Sequence, residues 1–138
     1  MARFLDTNIL LQHLAREDEQ KAIGCRGLLL RLERGEEVAV ATDIVIFETV
    51  HILQSARHYG LSRSRIRQLL EPIIALRGLR LPRKSLYARA FDLYDNGNVS
   101  FADAYNAAYM ESRGITEVYS YDSDFDRIPG ITRVEPEG

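Results

Sequence analysis

The stretch of sequence that decides the predicted fold is RFLDTNILLQHL, at residues 3–14. Residues 3–5 have the character of a short buried strand, and the residues that follow carry Ile9, Leu10 and Leu14 at helical spacing. A strand that passes directly into a helix is the unit from which α/β folds are built. Asp6 therefore lies where a strand ends and a helix begins.

The rest of the chain continues this alternation of strands and helices. We predict strands at residues 38–41, 79–81, 117–121 and 131–134, and helices at residues 19–34, 43–59, 62–76, 82–95 and 100–113. Parallel strands need crossover connections, which helices supply. The pattern therefore predicts an α/β fold, a three-layer α/β/α sandwich with a central, mainly parallel sheet. We expect residues 1–138 to form a single domain.

The composition is that of an ordinary globular domain, with 46% hydrophobic and 28% charged residues. The single cysteine, Cys25, cannot form an internal disulfide, and no Cys/His cluster surrounds it to hold zinc. The apolar run at the N-terminus is too short for a signal peptide or a membrane span. We therefore expect a cytoplasmic protein with no membrane partner.

Basic residues are concentrated in one part of the chain although the net charge is -2. Between residues 57 and 84 Glu71 is the single acid, and the bases are Arg57, Arg63, Arg65, Arg67, Arg77, Arg80, Arg83 and Lys84. Such a stretch can follow an RNA backbone, and it can equally be a solvated helix face. Both interpretations remain open from the sequence.

Four acids are predicted at one edge of the sheet. Asp6 and Asp122 each follow a strand, and Glu48 lies in the second turn of the helix that follows residues 38–41. Asp103 lies in the first turn of the helix that leads into residues 117–121. In open α/β sheets the carboxyl ends of the strands form the site edge. Because clustered carboxylates repel one another, this edge predicts a divalent cation, Mg²⁺ or Mn²⁺.

Each of these acids also has a structural interpretation. Asp6 is a suitable cap for the following helix, and Asp103 completes a capping box with Ser100. Asp122 is a suitable cap for the turn before Phe125. Glu48 is predicted beside an inward-facing apolar stripe, where a salt bridge to an arginine is the alternative to metal binding.

The motifs around these acids resemble those of the PIN-domain nucleases, and most closely the toxin halves of VapBC-type toxin–antitoxin pairs. The resemblance covers nearly the whole chain. It rests on four motifs in the family's order and spacing: FLDTNILL at residues 4–11, FETVHIL at 47–53, SFADAYNAAYM at 100–110 and YSYDSDFDRI at 119–128.

The resemblance implies an endoribonuclease in which Asp6, Glu48, Asp103 and Asp122 are the catalytic acids and hold Mg²⁺ or Mn²⁺. Asn8 and Ser120 would support them, and Ser120 stands where the family more often has threonine. Asp124 and Asp126 are close enough to Asp122 to assist or replace it. The resemblance further implies an RNA substrate, a small cognate antitoxin and a homodimer.

Three other functions fit the sequence less well. A haloacid-dehalogenase-like phosphatase needs a second acid where this chain has Asn8. A receiver domain needs a lysine at the end of a strand, and neither Lys21 nor Lys84 is well placed for that role. The third is a non-catalytic RNA- or protein-binding module with the same fold, which the intact acid set disfavours. We interpret the aromatic residues at helical spacing as core or dimer contacts rather than base-stacking groups: Tyr87, Phe91, Tyr94, Tyr105 and Tyr109.

Overall fold

The computed structural model describes all residues, Met1–Gly138, and divides into two compact units, Met1–Lys84 and Ser85–Gly138. Each unit contains helices and its own parallel sheet. The predicted α/β class with parallel strands is confirmed. None of the helices combines the length and the apolar character that crossing a membrane requires.

The first unit contains three short strands and four helices. They are β1 (Arg3–Phe4), α1 (Thr7–Ala15), α2 (Glu19–Arg34), β2 (Ala39–Val40), α3 (Asp43–Gln54), α4 (Arg63–Ile74) and β3 (Leu79–Arg80). The strands are parallel in the order β1-β2-β3, with Arg3 opposite Ala39 and Ala39 opposite Leu79. The carboxyl ends of all three strands therefore lie at one edge of this sheet.

Local sequence explains where the helices of this unit begin and end. The Asp18 carboxylate accepts the backbone N–H of Lys21 at 3.1 Å and caps α2. Gly35 ends α2 in the left-handed conformation at φ 73°. The Ser62 hydroxyl caps α4 through the N–H of Arg65 at 3.2 Å. Pro72 lies in the last turn of α4, so the helix ends two residues after the residue that interrupts its hydrogen bonds.

Gly78 marks a close approach of two backbone segments before β3. Its N–H donates to the Leu32 carbonyl at 2.8 Å, and its own carbonyl accepts the N–H of Ala39 at 2.9 Å. A Cβ at this position would lie 2.2 Å from the Glu37 carbonyl oxygen. The register of β2 and β3 therefore depends on a residue without a side chain.

The second unit packs two helices against each other and adds a two-stranded parallel sheet. Its elements are α5 (Tyr87–Gly97), α6 (Phe101–Ser112), β4 (Glu117–Tyr119), a 3₁₀ turn (Ser123–Arg127) and β5 (Thr132–Val134). The core contains a cluster of buried rings: Tyr87, Phe91, Tyr94, Phe101 and Tyr105. This confirms the predicted core role of these aromatic residues, while Tyr109 is half-buried beside Arg113.

Two helix boundaries were predicted wrongly. The helix predicted over residues 43–59 ends at Gln54, because Ser55 has an extended conformation and its carbonyl accepts the N–H groups of His58 and Gly60. The helix predicted from residue 82 begins at Tyr87, after a separate 3₁₀ turn at Lys84–Leu86. Arg83 is the cause, since its left-handed backbone at φ 49° interrupts a continuous helix.

Candidate metal centre

Three carboxylates of the second unit converge. One oxygen from each of Asp103, Asp122 and Asp124 lies within 4.8 Å of the other two. Asp103 and Asp124 are half-buried, and Asp122 is exposed. Two of the predicted catalytic acids and one predicted supporting residue therefore form one acidic cluster.

Asp103 lies in the first turn of α6, where Ser100 caps the helix. The Ser100 hydroxyl accepts the N–H of Asp103 at 3.1 Å, as the sequence predicted. The N–H of Ser100 donates not to Asp103 but to the Asp124 carboxylate, at 3.3 Å. Because the Asp124 carboxylate accepts this N–H, the Asp103 carboxylate does not cap the helix and lies among the other acids.

Asp122 both caps a turn and belongs to the cluster. Its carboxylate accepts the N–H of Asp124 at 2.9 Å at the start of the 3₁₀ turn. The Ser120 hydroxyl accepts the N–H of Asp122 at 2.9 Å and fixes the backbone just beyond β4. The structural interpretation of Asp122 is therefore observed, and it is compatible with a place in the cluster.

Burial and mutual repulsion raise the pKa of Asp103 to about 6. Desolvation is the largest cause, followed by the hydrogen bond to Asp122 and the charge of that residue, while the Ser100 hydroxyl opposes the shift. Burial also pushes up the pKa of Asp124. The Ser100 amide and the Arg127 guanidinium more than offset this effect and hold the pKa of Asp124 below its ordinary value.

Asp124 and Asp126 are distinguished by their partners. Asp124 belongs to the acidic cluster, and the Arg127 guanidinium donates to its carboxylate at 2.6 Å. Asp126 lies outside the cluster and accepts two hydrogen bonds from Arg133, at 3.1 and 3.3 Å. Asp124 is thus the neighbour that shares the site of Asp122. The sequence did not single out Arg127, although its position three residues after Asp124 is typical of an ion pair on one helical turn.

The predicted acids of the first unit lie at the carboxyl edge of its sheet. Asp6 follows β1 and caps α1, where its carboxylate accepts the N–H of Asn8 at 3.4 Å. Asn8 also lines a cavity of about 530 Å³ together with Gln12, Lys21 and Tyr59. Glu48 lies on α3, the helix that follows β2. Convergence of Asp6 and Glu48 with the acids of the second unit stays a prediction.

The predicted burial of Glu48 is wrong. Glu48 is exposed, and Ile44, one turn earlier on the same face of α3, is 72% exposed. The buried face of α3 instead carries Val45, Thr49 and Val50, one or two positions around the helix. Glu48 forms no salt bridge to an arginine, so the alternative role considered for it is not observed.

Several of the basic residues between positions 57 and 84 are used inside the first unit. Arg67 pairs with Glu71, and Arg83 pairs with Asp43 at 3.1 Å. Lys84 donates to the carbonyls of Leu76 and Leu79, both at 2.8 Å, and burial lowers its pKa. Three of the eight basic residues of this stretch therefore have a structural role.

The chemistry of the cluster suits a hard divalent cation. The three ligating groups offer carboxylate oxygen alone, the ligand type that Mg²⁺ and Mn²⁺ take and that structural zinc sites rarely use without nitrogen or sulfur. Burial, and after it the hydrogen bond and the charge of Asp122, raise the pKa of Asp103. A bound cation would offset the repulsion between these carboxylates.

Comparison with known proteins gives two findings. A family model described as the PIN domain matches residues 3–131 and so spans both units. A protein named VapC ribonuclease, from Aquifex aeolicus (strain VF5), is 26% identical over 134 residues. The aligned region covers 97% of this chain and 96% of that protein.

Proposed function

Because the chain belongs to the PIN-domain family, we propose that it is a Mg²⁺- or Mn²⁺-dependent endoribonuclease that serves as the toxin of a toxin–antitoxin pair. The observation that carries the proposal is the convergence of Asp103, Asp122 and Asp124 within 4.8 Å. The likeness to VapC ribonuclease over nearly the full length of both chains supports an RNA substrate and a toxin role.

In this proposal Asp6, Glu48, Asp103 and Asp122 hold the cation, directly or through water. Ser120 and Asp124 hold the cluster in place, Ser120 through the N–H of Asp122 and Asp124 through the N–H of Ser100. Asn8 supports Asp6 through its backbone N–H. Asp6 and Glu48 are both exposed, so a cation can reach their carboxylates from solvent.

The reaction is hydrolysis of a phosphodiester bond. The oxygen of a water molecule bonds to phosphorus, and the bond from phosphorus to one ribose oxygen breaks. When bound, the cation would lower the pKa of that water and offset the charge that develops on the phosphate. The acidic cluster itself repels phosphate, so we expect little turnover without added metal.

We also propose that the two units act together as one domain over residues 1–138, since the family match crosses the boundary between them. The proposed partners are an RNA substrate, a small antitoxin and a second copy of this chain. The proposed location is the cytoplasm. Co-expression with a small cognate antitoxin tests the partner: it should suppress the growth arrest that we expect when this chain is expressed alone.

Cleavage of total RNA by the purified protein tests the proposed function. We expect cleavage with Mg²⁺ or Mn²⁺, none with EDTA, and none by the Asp103→Asn variant. The Asp126→Asn variant is the matched control, because Asp126 is a neighbouring acid outside the cluster. Equal cleavage by the wild type and by the Asp103→Asn variant would contradict the proposal.

A further inference from the structure

Two tyrosines that precede Asp122 in the sequence are largely exposed. Tyr119 is 77% exposed and Tyr121 is 73% exposed, whereas the core of this unit is formed by buried rings such as Phe91, at 0%. Neither side chain makes a hydrogen bond or a ring contact within the chain. Nothing in the packing of the second unit therefore accounts for these two rings.

Alternation along an extended chain predicts that the two rings lie on the same side of it. Tyr119 ends β4, half-buried Ser120 follows, and exposed Tyr121 lies at a bend just beyond the strand. Ser120 continues the pairing with β5, since its N–H donates to the Val134 carbonyl at 3.1 Å. Two extended residues advance the backbone by about 7 Å, twice the roughly 3.4 Å that separates stacked bases along a strand. One planar base fits in such an interval.

The surroundings favour a nucleobase over a protein surface as the occupant. Tyr121 directly precedes Asp122, a member of the acidic cluster. Glu117 and Ser123, two residues before Tyr119 and two after Tyr121 in the sequence, are exposed and polar, unlike the residues of the broad apolar patches that bind proteins. Aromatic rings of this kind, spaced along a strand, are typical of proteins that stack on unpaired bases.

We propose that Tyr119 and Tyr121 form a stacking platform for unpaired bases of RNA, which holds the strand with a phosphate beside Asp122. This inference rests on the proposed ribonuclease function and narrows it, because bases within a duplex already stack on each other. The substrate is then single-stranded RNA or an unpaired loop, and the two tyrosines are positioning residues.

The test is RNA binding measured by fluorescence anisotropy with Ca²⁺ in place of Mg²⁺ or Mn²⁺, so that a cation offsets the charge of the acidic cluster, and with a gel to check that the RNA stays uncleaved. Three probes are compared: a short labelled single strand, the same strand annealed to its complement, and the same backbone with abasic ribose in place of the nucleotides. The proteins are the wild type, the Tyr119→Ala/Tyr121→Ala double variant and the corresponding Phe double variant. Ile115→Ala is the control for loss of an exposed apolar side chain in the same unit.

We expect the Ala double variant to bind the single strand about tenfold or more weakly, and the abasic probe as the wild type does. The Phe variant and Ile115→Ala should bind as the wild type, because Phe keeps the ring. Unchanged single-strand binding by the Ala variant, an equal loss on the abasic probe, or no single-strand binding by the wild type would overturn the inference. Metal-dependent cleavage that Asp103→Asn abolishes tests the proposed function separately, so either can fail without the other.

Discussion

Replacement of Asp103 by asparagine should stabilise the metal-free protein. Folding raises the pKa of Asp103 from 3.8 to about 6, and a shift of about two units corresponds to about 3 kcal/mol for a fully buried group. Asp103 is only half-buried, so we expect screening by water to reduce its penalty to about 1 kcal/mol. In a chain of this length that is a rise in Tm of about 3–5 °C.

The gain in stability of the Asp103→Asn variant over the wild type should increase with pH. A carboxyl group whose pKa is raised by folding costs nothing where it is protonated in both states, below about pH 4. The cost grows as the pH rises from 4 to 6 and is complete above pH 6. Thermal unfolding in EDTA should therefore show the stabilisation by Asp103→Asn at pH 7.5 and little of it at pH 4.5.

Two further variants make this result specific. Asp122→Asn should also stabilise the metal-free protein, because the charge of Asp122 is one cause of the raised pKa of Asp103. Asp126→Asn should not, because it removes an acid that is paired with Arg133 outside the cluster. A Tm for Asp103→Asn that is unchanged or lower at pH 7.5, or a gain of equal size at both pH values, would refute the argument from repulsion.

Three other predictions concern the scaffold. Gly78→Ala should destabilise the protein by about 3 kcal/mol or more, seen as a lower urea midpoint, because its Cβ would meet the Glu37 carbonyl at 2.2 Å; a midpoint within error of the wild type would contradict this. Ser100→Ala should cost about 1 kcal/mol by the same assay, since it removes the α6 cap, and Ser100→Asn should restore most of it. Phe91→Ala should cost about 3–5 kcal/mol, because Phe91 is fully buried among rings; a loss below 1 kcal/mol would show that the core collapses around the cavity.

The sequence predicted most closely the features that local chemistry determines. The bounds of α2 follow from Asp18 as a cap and Gly35 as a left-handed terminus, both of which are recognisable residue by residue. The capping role of Ser100 is equally local. The apolar spacing of Tyr87, Phe91 and Tyr94 predicted a core face because helical periodicity places such residues on one side.

Other features depend on partners that are distant in sequence. The conformation of Arg83 accompanies its ion pair with Asp43, forty positions away, and no local pattern reveals it. The Asp124 carboxylate accepts the N–H of Ser100, which lies 24 positions earlier in the chain. The sequence predicted a capping box of Ser100 and Asp103 alone, because Asp124 is not a local neighbour of either residue. The sequence does not predict the exposure of Glu48, because Ile44, one turn before it, is apolar and yet 72% exposed.

The two exposed tyrosines had no signal of their own in the sequence. Tyr119 and Tyr121 alternate as in any half-buried strand, and alternation does not tell which side faces solvent. The structure supplies that information through their exposed fractions of 77% and 73%. A similar limit applies to the four predicted acids, because the order of strands and helices predicts that they share one edge of a sheet but does not give the distances between them.

Mn²⁺ binding by the metal-free protein tests whether the four proposed ligands, Asp6, Glu48, Asp103 and Asp122, hold one cation. Titration calorimetry would compare the wild type with Asp6→Asn, Asp103→Asn and the control Asp126→Asn. We expect one site per chain, at least tenfold weaker binding for each of the first two variants, and unchanged binding for the control. Unchanged affinity in Asp6→Asn alongside a loss in Asp103→Asn would contradict a shared site.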